Sequence, residues 1–340
     1  MPIQKVLSKR NVWMGFAILW VVFFHTEITS TKLPITLFKL FGYGGVDIFI
    51  FSSGIGCWYS LDKNPEPLSF IRRRASRLLP IYYAALPFWL ACCMITKSRT
   101  LSVLDVIGNI LCVQWFTAKG NSVNWYVSAI WVFYFAAPYL YAYLRDRSFT
   151  LQLAGLLLTV LIYISFADSL AFLVGVSRLP LFYMGMMFAE RTKKAAFIRK
   201  RTIVLLFVSS AIGAVSLLHA YKFLPSFLWT KGLWWAPYIL ITPGLCLAMS
   251  MLSLWLEKIP LFEKILAFLE LCGKRSFEIL LAQLVVFDVV LYLIEEHTFA
   301  AANTVWFLSL LPVALSAALL SLLSDRLRMQ ADPVKRSGRL

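Results

Sequence analysis

The amino-acid sequence predicts an all-α polytopic membrane protein with about ten transmembrane helices. Hydrophobic residues make up 60% of its 340 residues, and the mean hydropathy is +0.75, whereas soluble domains contain about 45–50% apolar residues. A spanning helix needs about 20 mostly apolar residues. Ten stretches approach that length, at roughly 11–29, 43–61, 79–96, 123–144, 151–167, 172–190, 203–222, 234–256, 276–294 and 304–324.

The distribution of positive charge supports this fold class and predicts the topology. The formal net charge is +16, and 25 of the 33 Lys and Arg residues fall in inner segments when the N-terminus is placed in the cytoplasm. Cytoplasmic loops carry such an excess, so both termini are predicted to be cytoplasmic and no nucleic-acid partner is needed to explain the charge. We predict one membrane domain over residues 1–325, followed by a basic cytoplasmic tail over residues 326–340.

The region 101–117 fits this topology as a short helix that does not cross the membrane. It is apolar but short, and it contains Asp105 and Asn109. An eleventh span here would invert every later loop and place the basic cluster from Arg191 to Arg201 outside. We therefore predict a re-entrant or interfacial helix on the outer side.

The sequence also argues against several kinds of site. The six cysteines mostly fall within hydrophobic segments without CxxC spacing, and the three histidines, at 25, 219 and 297, are dispersed. These patterns predict neither a disulfide framework nor a metal site. The chain has no Walker loop and no dinucleotide-binding fingerprint, because the glycines near 42–45 precede a membrane helix and do not follow a strand.

Ionisable residues within the apolar stretches are functional candidates, because charge in a bilayer is costly. Fifteen residues at 1.5 Å each place His25 about 22 Å from Arg10, towards the outer leaflet. Asp47 enters the second helix from that side, so His25 and Asp47 could share one polar site, although spacing alone does not show contact. The full set is His25, Glu27, Asp47, Arg178, Glu278 and Asp288.

His25 is the strongest catalytic candidate in this set. An imidazole can remove a proton from a hydroxyl near neutral pH and return it to a leaving group. The alternative is a helical His that only bonds to a neighbouring backbone or side-chain group. Glu27 lies two residues further on and points away from His25 on a helix, so it is not an intrahelical partner.

Each of the remaining candidates also suits a simple structural role. Asp47 follows two glycines near a helix start, where an acidic residue is favourable. Arg178 could extend to the membrane interface, and Trp125 fits the interfacial aromatic belt. Glu278 follows Lys274 by four residues, which predicts an ion pair.

A basic cluster lies where the third apolar stretch begins, and it consists of Arg72, Arg73, Arg74 and Arg77. Such a cluster can orient the protein in the membrane and contact anionic lipid. Guanidinium groups can also hold a phosphorylated ligand at the inner surface.

Five segments share a further pattern. They are GFAILWVVFFH ending at His25, GGVDIFIFSSGIG at 44–56, RRASRLLPIYY at 73–83, NWYVSAIWVFYFAAPYLY at 124–141 and RLPLFYMGMMFAE at 178–190. In this order they resemble the motifs of the acyltransferase 3 family of multi-spanning membrane O-acyltransferases. The first helix is similar to one that ends in the family's catalytic histidine, and the third segment places the family's basic motif at Arg74 and Arg77.

Two places depart from the family pattern. Met14 precedes the first-helix glycine where family members often carry Arg or Lys, so a supporting cation is missing or is supplied by Arg10. LCGKRSFEILLAQ at 271–283 resembles a later family element, with Leu281 and Gln283 at the positions where Leu and His are expected.

The resemblance implies transfer of an acyl group, usually acetyl, from cytoplasmic acyl-CoA to a hydroxyl of a polysaccharide or lipid-linked glycan. His25 and Asp47 are the implied catalytic residues, with His25 acting as general base or as transient acyl carrier. Arg74 and Arg77 are the implied donor-binding residues.

Further implications concern the acceptor and the location. Arg178 and Glu27 are the candidate substrate-binding residues. The resemblance places the enzyme in a bacterial inner (plasma) membrane among membrane lipids, with no bound cofactor. Whether a separate extracytoplasmic partner completes the transfer stays open.

A secondary transporter or lipid-glycan flippase is the competing function, because intramembrane His, Asp and Arg also serve as proton or substrate sites. That class predicts inverted repeats and broken helices in matching halves. Neither is clear in the sequence, although Pro237 and Pro243 interrupt one apolar stretch. Dependence on an acyl-CoA donor separates the two functions.

Overall fold

The computed structural model describes the chain as helices joined by short loops. Described are residues 2–97, 99–118, 122–123, 125–166, 174–193, 195, 197–224, 234–297 and 302–331. Among these residues the only β structure is an isolated bridge between Pro2 and Phe197. The main helices are α1 (Ile3–Ser8), α2 (Arg10–His25), α3 (Leu33–Leu40), α4 (Gly45–Lys63), α5 (Pro67–Thr96), α6 (Val103–Ile110), α7 (Gln114–Ala118), α8 (Trp125–Leu144), α9 (Phe149–Ser165), α10 (Leu179–Lys193), α11 (Lys200–Phe223), α12 (Ala236–Leu256), α13 (Glu263–Lys274), α14 (Ser276–His297) and α15 (Ala302–Ala331).

Each of the ten predicted apolar stretches coincides with a helix over most of its described length, which confirms the all-α prediction. Within the described ranges, seven helical segments are long and apolar enough to cross a membrane. They are Leu33–Lys63, Pro67–Thr96, Trp125–Leu144, Lys200–Phe223, Ala236–Leu256, Ser276–Ile294 and Asn303–Leu327. The chain is therefore an integral membrane protein.

Three of the ten predicted spans form helices that are shorter than these seven membrane-spanning candidates. Helices α2, α9 and α10 contain 16, 17 and 15 residues, which gives roughly 23–26 Å at 1.5 Å per residue. A hydrocarbon core is about 30 Å thick. The number of ten spans and the cytoplasmic placement of both termini stay predictions.

The region 101–117 forms two short helices, α6 and α7. Helix α6 begins with a capping box: the Ser102 hydroxyl accepts from the Asp105 backbone N–H, and the Asp105 carboxylate accepts from the Ser102 backbone N–H at 2.8 Å. This arrangement satisfies two backbone donors at the helix start. Eight residues extend only about 12 Å, so α6 does not cross the membrane; its re-entrant or interfacial position stays a prediction.

The chain forms two compact units. The first contains Met1–Ala17, Tyr43–Phe70 and Asn124–Lys274, and the second contains Ile18–Gly42, Ile71–Val123 and Arg275–Leu340. Helix α15 continues to Ala331, so the predicted tail from residue 326 begins as helix, and its residues 332–340 lie outside the described residues. A single membrane domain with a separate tail stays a prediction.

In the first unit, α4 and α10 are in close contact because each presents a glycine to the other. A Cβ atom on Gly54 would meet the backbone of Phe182, and one on Gly185 would meet the backbone of Phe51. Small residues at a crossing let two helix backbones approach closely. Helix α8 packs against the same place, where the rings of Phe133 and Phe182 stack at 5.1 Å.

In the second unit, α14 and α15 pack as neighbours. Phe287 meets Trp306 edge to face, with ring centroids 5.1 Å apart. At the other end of the pair, the Arg275 guanidinium donates two hydrogen bonds to the Asp325 carboxylate, at 3.0 and 2.7 Å. Such a bidentate bond fixes both partners, so α14 is a well-anchored helix.

Candidate active site

His25 is the last residue of α2, and its side chain is exposed. Its ring Nδ1 lies 3.0 Å from the carbonyl oxygen of Val21, one turn earlier on the helix. A carbonyl oxygen only accepts hydrogen bonds, so this contact requires a proton on Nδ1. The neutral ring then carries its free lone pair on Nε2, which is the atom that a general base or a nucleophile needs.

Gln283 of α14 is the second partner of the His25 ring. Its side-chain amide lies 3.3 Å from Nδ1, and the residue is 0% exposed. The amide oxygen has no hydrogen-bond partner among the described residues. A half-turn of the amide places this oxygen against the Nδ1 proton, so we assign this orientation. Gln283 thus reinforces the tautomer that Val21 selects.

A cavity of about 250 Å³ lies beside the end of α2 in the second unit. Phe24, Thr29, Thr36 and Lys39 contribute to its walls. Drug-sized ligands occupy about 300–1,000 Å³, so this cavity can hold a small part of a ligand. The hydroxyl groups of Thr29 and Thr36 and the ammonium group of Lys39 would bind a polar part of a ligand.

Two hydrogen bonds hold the loop after α2 in place next to this cavity. The Thr29 backbone N–H donates to the Asn303 side-chain oxygen at 3.0 Å, and the Asn303 amide donates to the Thr29 carbonyl at 3.1 Å. Glu27 on this loop is exposed and interacts electrostatically with Lys39. The predicted substrate-binding carboxylate is therefore accessible.

In the first unit, Asp47 and Arg178 form a buried ion pair. The Arg178 Nε lies 3.3 Å from the Asp47 Oδ1, and the side chains are 1% and 2% exposed. Arg178 immediately precedes α10, and Asp47 lies in the first turn of α4. The glycine contact between these helices follows one turn later on each, at Phe51 and Phe182. The close packing of α4 on α10 therefore supports the pair.

Aromatic rings enclose the Arg178 guanidinium. Its central carbon lies 4.6 Å from the centroid of Trp125 and 5.0 Å from that of Trp235. Its Nη1 donates to the Val174 carbonyl at 2.5 Å. A desolvated cation over an aromatic face gains about 2 kcal/mol or more, which offsets part of the cost of burial. Arg178 does not extend to the interface, and Trp125 is a partner of Arg178 as well as an aromatic residue near a helix end.

One oxygen of this pair is unusual. The Asp47 Oδ2 is buried and has no hydrogen-bond partner among the residues that the structure describes. Buried carboxylate oxygens are nearly always hydrogen-bonded to protein or water. Asp47 also lies at the N-terminus of α4, where the helix dipole stabilises negative charge. The free oxygen indicates a place for a water molecule or for a proton.

Arg74 and Arg77 lie three residues apart on α5, so they share one face of that helix. The Arg74 side chain is partly buried and Arg77 is exposed. The local structure therefore allows both guanidinium groups to contact one ligand. Their predicted role in donor binding stays a prediction.

Two further predictions from the sequence can be compared with the structure. Arg10, the suggested supporting cation, donates from Nε and Nη2 to the hydroxyl and carbonyl of Ser52 on α4, at 2.5 and 3.0 Å. Glu278 pairs with Arg275 at 3.6 Å and not with Lys274 as predicted. Lys274 instead pairs with Glu270 at 2.8 Å, because residue 270 lies one full turn before it on α13.

The structure thus joins some predicted site residues and leaves others separate. It pairs Asp47 with Arg178, which the sequence had placed in different roles, and it adds Gln283 to His25. His25 belongs to the second unit and Asp47 to the first, so their shared site stays a prediction. In the described part of the chain, no three His, Cys, Asp or Glu side chains form a group that could hold a metal ion.

Comparison with known proteins identifies the family of this chain. A family model for an acyltransferase domain, that of the acyltransferase 3 family, matches residues 11–323. Neither a search of curated proteins nor a search of solved structures found a match. Because the matched range covers nearly the whole chain, the protein belongs to the acyltransferase 3 family.

Proposed function

We propose that this member of the acyltransferase 3 family transfers an acetyl group from cytoplasmic acetyl-CoA to a hydroxyl of a polysaccharide or lipid-linked glycan, in a bacterial inner membrane. The observation that carries the proposal furthest is the state of His25. Its Nδ1 faces the Val21 carbonyl and Gln283, and its side chain is exposed. The Nε2 lone pair is then available to a reacting group.

The proposed reaction uses this lone pair at one of two points. As a general base, Nε2 accepts the proton of the acceptor hydroxyl while the oxygen attacks the thioester carbonyl. The carbon–sulfur bond then breaks, and the thiolate of CoA takes up the proton. As an acyl carrier, Nε2 itself attacks the thioester carbonyl, the carbon–sulfur bond breaks and the CoA thiolate leaves. The acceptor hydroxyl then attacks the acyl-imidazole, the carbon–nitrogen bond breaks to free Nε2, and the hydroxyl proton passes to the thiolate. The Nδ1 tautomer supports both routes.

Arg74 and Arg77 are the proposed donor site. Coenzyme A carries several phosphate groups, and guanidinium groups form strong, bidentate bonds with phosphate. Their common face on α5 supports joint binding.

Glu27 and Arg178 are the proposed acceptor-binding residues. Glu27 is exposed two residues after His25, and a carboxylate accepts hydrogen bonds from sugar hydroxyls. Arg178 supplies a cation, and Asp47 orients it through their ion pair. Asp47 is proposed to act through this pair as a positioning residue.

The test is transfer of label from radioactive acetyl-CoA to glycan in membranes that contain the protein. Wild type is expected to label the glycan fraction. The double variant Arg74→Ala/Arg77→Ala should raise the KM for acetyl-CoA by at least about 100-fold with a smaller effect on kcat, because each of the two lost charged hydrogen bonds costs about 1.5–3 kcal/mol. Arg72→Ala, an exposed neighbour on the same helix, is the control and should leave KM within about twofold of wild type.

Two results would contradict the proposal. If neither glycan nor any other acceptor is labelled and purified protein does not bind acyl-CoA, the transporter or flippase function would replace it. If transfer occurs but the Arg74→Ala/Arg77→Ala variant has the wild-type KM, the donor is bound elsewhere.

A further inference from the structure

A second cavity in the second unit lies on the other side of α14 from the catalytic candidate. It has a volume of about 390 Å³, and its walls are largely apolar. Leu281 and Val285 of α14 contribute to it, whereas Gln283, between them, contacts His25. Residues two apart on a helix point in nearly opposite directions. Helix α14 therefore lies between this cavity and the His25 ring. The other walls come from α5 and α15, including Ala85, Phe88, Ser316 and Arg326.

The cavity is a groove on the apolar surface of these three helices. Phe88, Leu319 and Leu322 line it and remain 63%, 63% and 62% exposed. All three lie within candidate membrane spans. A surface of this kind faces hydrocarbon, so the natural occupant is a hydrocarbon chain.

One cation marks an end of the groove. Arg326 lines it, is exposed, and stands one residue before the end of the candidate span Asn303–Leu327. Among the described residues, no carboxylate lies within ion-pair distance of Arg326, and the neighbouring Asp325 is bound to Arg275. The groove therefore offers a positive charge at the level where lipid head groups begin.

The length of the groove matches one leaflet. From Ser316 to Arg326, α15 advances ten residues, or about 15 Å. This is half of a hydrocarbon core of about 30 Å. A lipid tail extending along the groove from a head group at Arg326 would therefore end near the middle of the bilayer.

From these observations we propose that the α5/α14/α15 groove is a binding site for one anionic phospholipid, with an acyl chain against Phe88 and Leu319 and the phosphate on Arg326. The proposal does not depend on the acyl transfer proposed above. Its consequence is that the lipid packs on the back of the helix that presents Gln283 to His25.

The test uses the full-length protein, purified in detergent, exchanged into nanodiscs of phosphatidylcholine with 10% phosphatidylglycerol, and analysed by native mass spectrometry after release. Wild type should retain one phosphatidylglycerol molecule in preference to phosphatidylcholine. Arg326→Ala should lower this preference about fivefold, since one basic residue near a membrane surface contributes about 1 kcal/mol. Ser316→Phe, which fills the groove, should remove the retained lipid.

Arg201→Ala is the matched control, because Arg201 is also an exposed arginine at the end of a candidate span, that of Lys200–Phe223, and does not line the groove. It should behave as wild type. Size-exclusion profiles and melting temperatures confirm that each variant is folded. Equal lipid retention by wild type, Arg326→Ala and Ser316→Phe would overturn the proposal. Displacement of the bound molecule by palmitoyl-CoA, together with indifference to phosphatidylglycerol, would also overturn it and assign the groove to an acyl donor.

Discussion

The polar groups of the His25 region and of the Asp47–Arg178 region differ in exposure and in charge. His25 is exposed, is held by two uncharged partners, and has a free ring nitrogen. Asp47 and Arg178 are almost completely buried, carry opposite charges, and lie among aromatic rings. An exposed base can meet a substrate without rearrangement. A buried pair contributes mainly by holding its surroundings, since each charge depends on the other.

This difference predicts whether a substitution in each region lowers activity or stability. Substitutions at His25 should remove chemistry and leave the fold intact. Substitutions at Asp47 or Arg178 should damage the fold, whatever they also do to the reaction.

His25→Ala should lower the rate of acyl transfer by at least about 10²–10⁴-fold, the usual contribution of a general base. The melting temperature should change little, because the side chain is exposed. Rates are measured at matched protein abundance. His219→Ala is the control, because His219 is an exposed histidine of α11 whose ring contacts Phe223. Wild-type rates for His25→Ala would remove His25 from the mechanism.

Asp47→Leu should destabilise the protein by about 3–5 kcal/mol, because it leaves the Arg178 charge buried without its partner. The double variant Asp47→Leu/Arg178→Met removes both charges and should recover a large part of this loss. Thermal unfolding in detergent gives the comparison.

Asp62→Leu serves as the reference for that experiment. Asp62 pairs with Lys193 at 2.7 Å in the same unit, with side-chain exposures of 24% and 52%. An exposed pair contributes only about 0–1 kcal/mol, so this variant should melt near the wild-type temperature. If Asp47→Leu melts as Asp62→Leu does, the buried pair does not stabilise the first unit.

Gly185→Ala should destabilise the protein by about 1–3 kcal/mol, because its new methyl group would meet the Phe51 backbone on α4. Gly56→Ala is the control, since the nearest atom there is the Nη2 end of the Arg10 side chain at 3.1 Å, which can move. Melting curves for the two variants, together with transfer rates, would show whether the α4/α10 crossing supports the ion pair. Identical curves would show that the crossing tolerates a larger residue.

Much of the architecture follows from hydrophobic length alone. The long apolar stretches predict the helices because a helix satisfies its own backbone hydrogen bonds within the bilayer. The segment at 101–117 forms helices too short to span, as its length predicts, and its re-entrant or interfacial position stays a prediction. The Asp105 side chain caps α6, and the Asn109 amide donates to the Asp105 carbonyl.

The site was only partly predictable. His25 and Asp47 stand out because ionisable residues are rare in apolar stretches. The pairing of Asp47 with Arg178 depends on residues about 130 positions apart, and spacing along the chain does not carry that information. One signal was available: the glycines of the motifs at 44–56 and 178–190 lie about two turns after Asp47 and Arg178 and now form the contact between α4 and α10. Trp235 could not be recognised as a partner, because tryptophan is common at membrane interfaces. Gln283 carried a signal, since it stands where the family pattern has His, but its contact with the His25 ring could not be predicted because a glutamine amide can bond to almost any polar group.

The pH dependence of transfer by wild type, Gln283→Glu and Gln283→Leu tests the central role of His25 most directly. A carboxylate at position 283 would lie next to the His25 ring and favour its protonated form. The base would then become active only at higher pH, so the midpoint of the rate profile should move upward in Gln283→Glu. Gln283→Leu should lower the rate and leave the midpoint close to that of wild type. A midpoint that is the same in all three active proteins would contradict the account, because another group would then be the one that titrates.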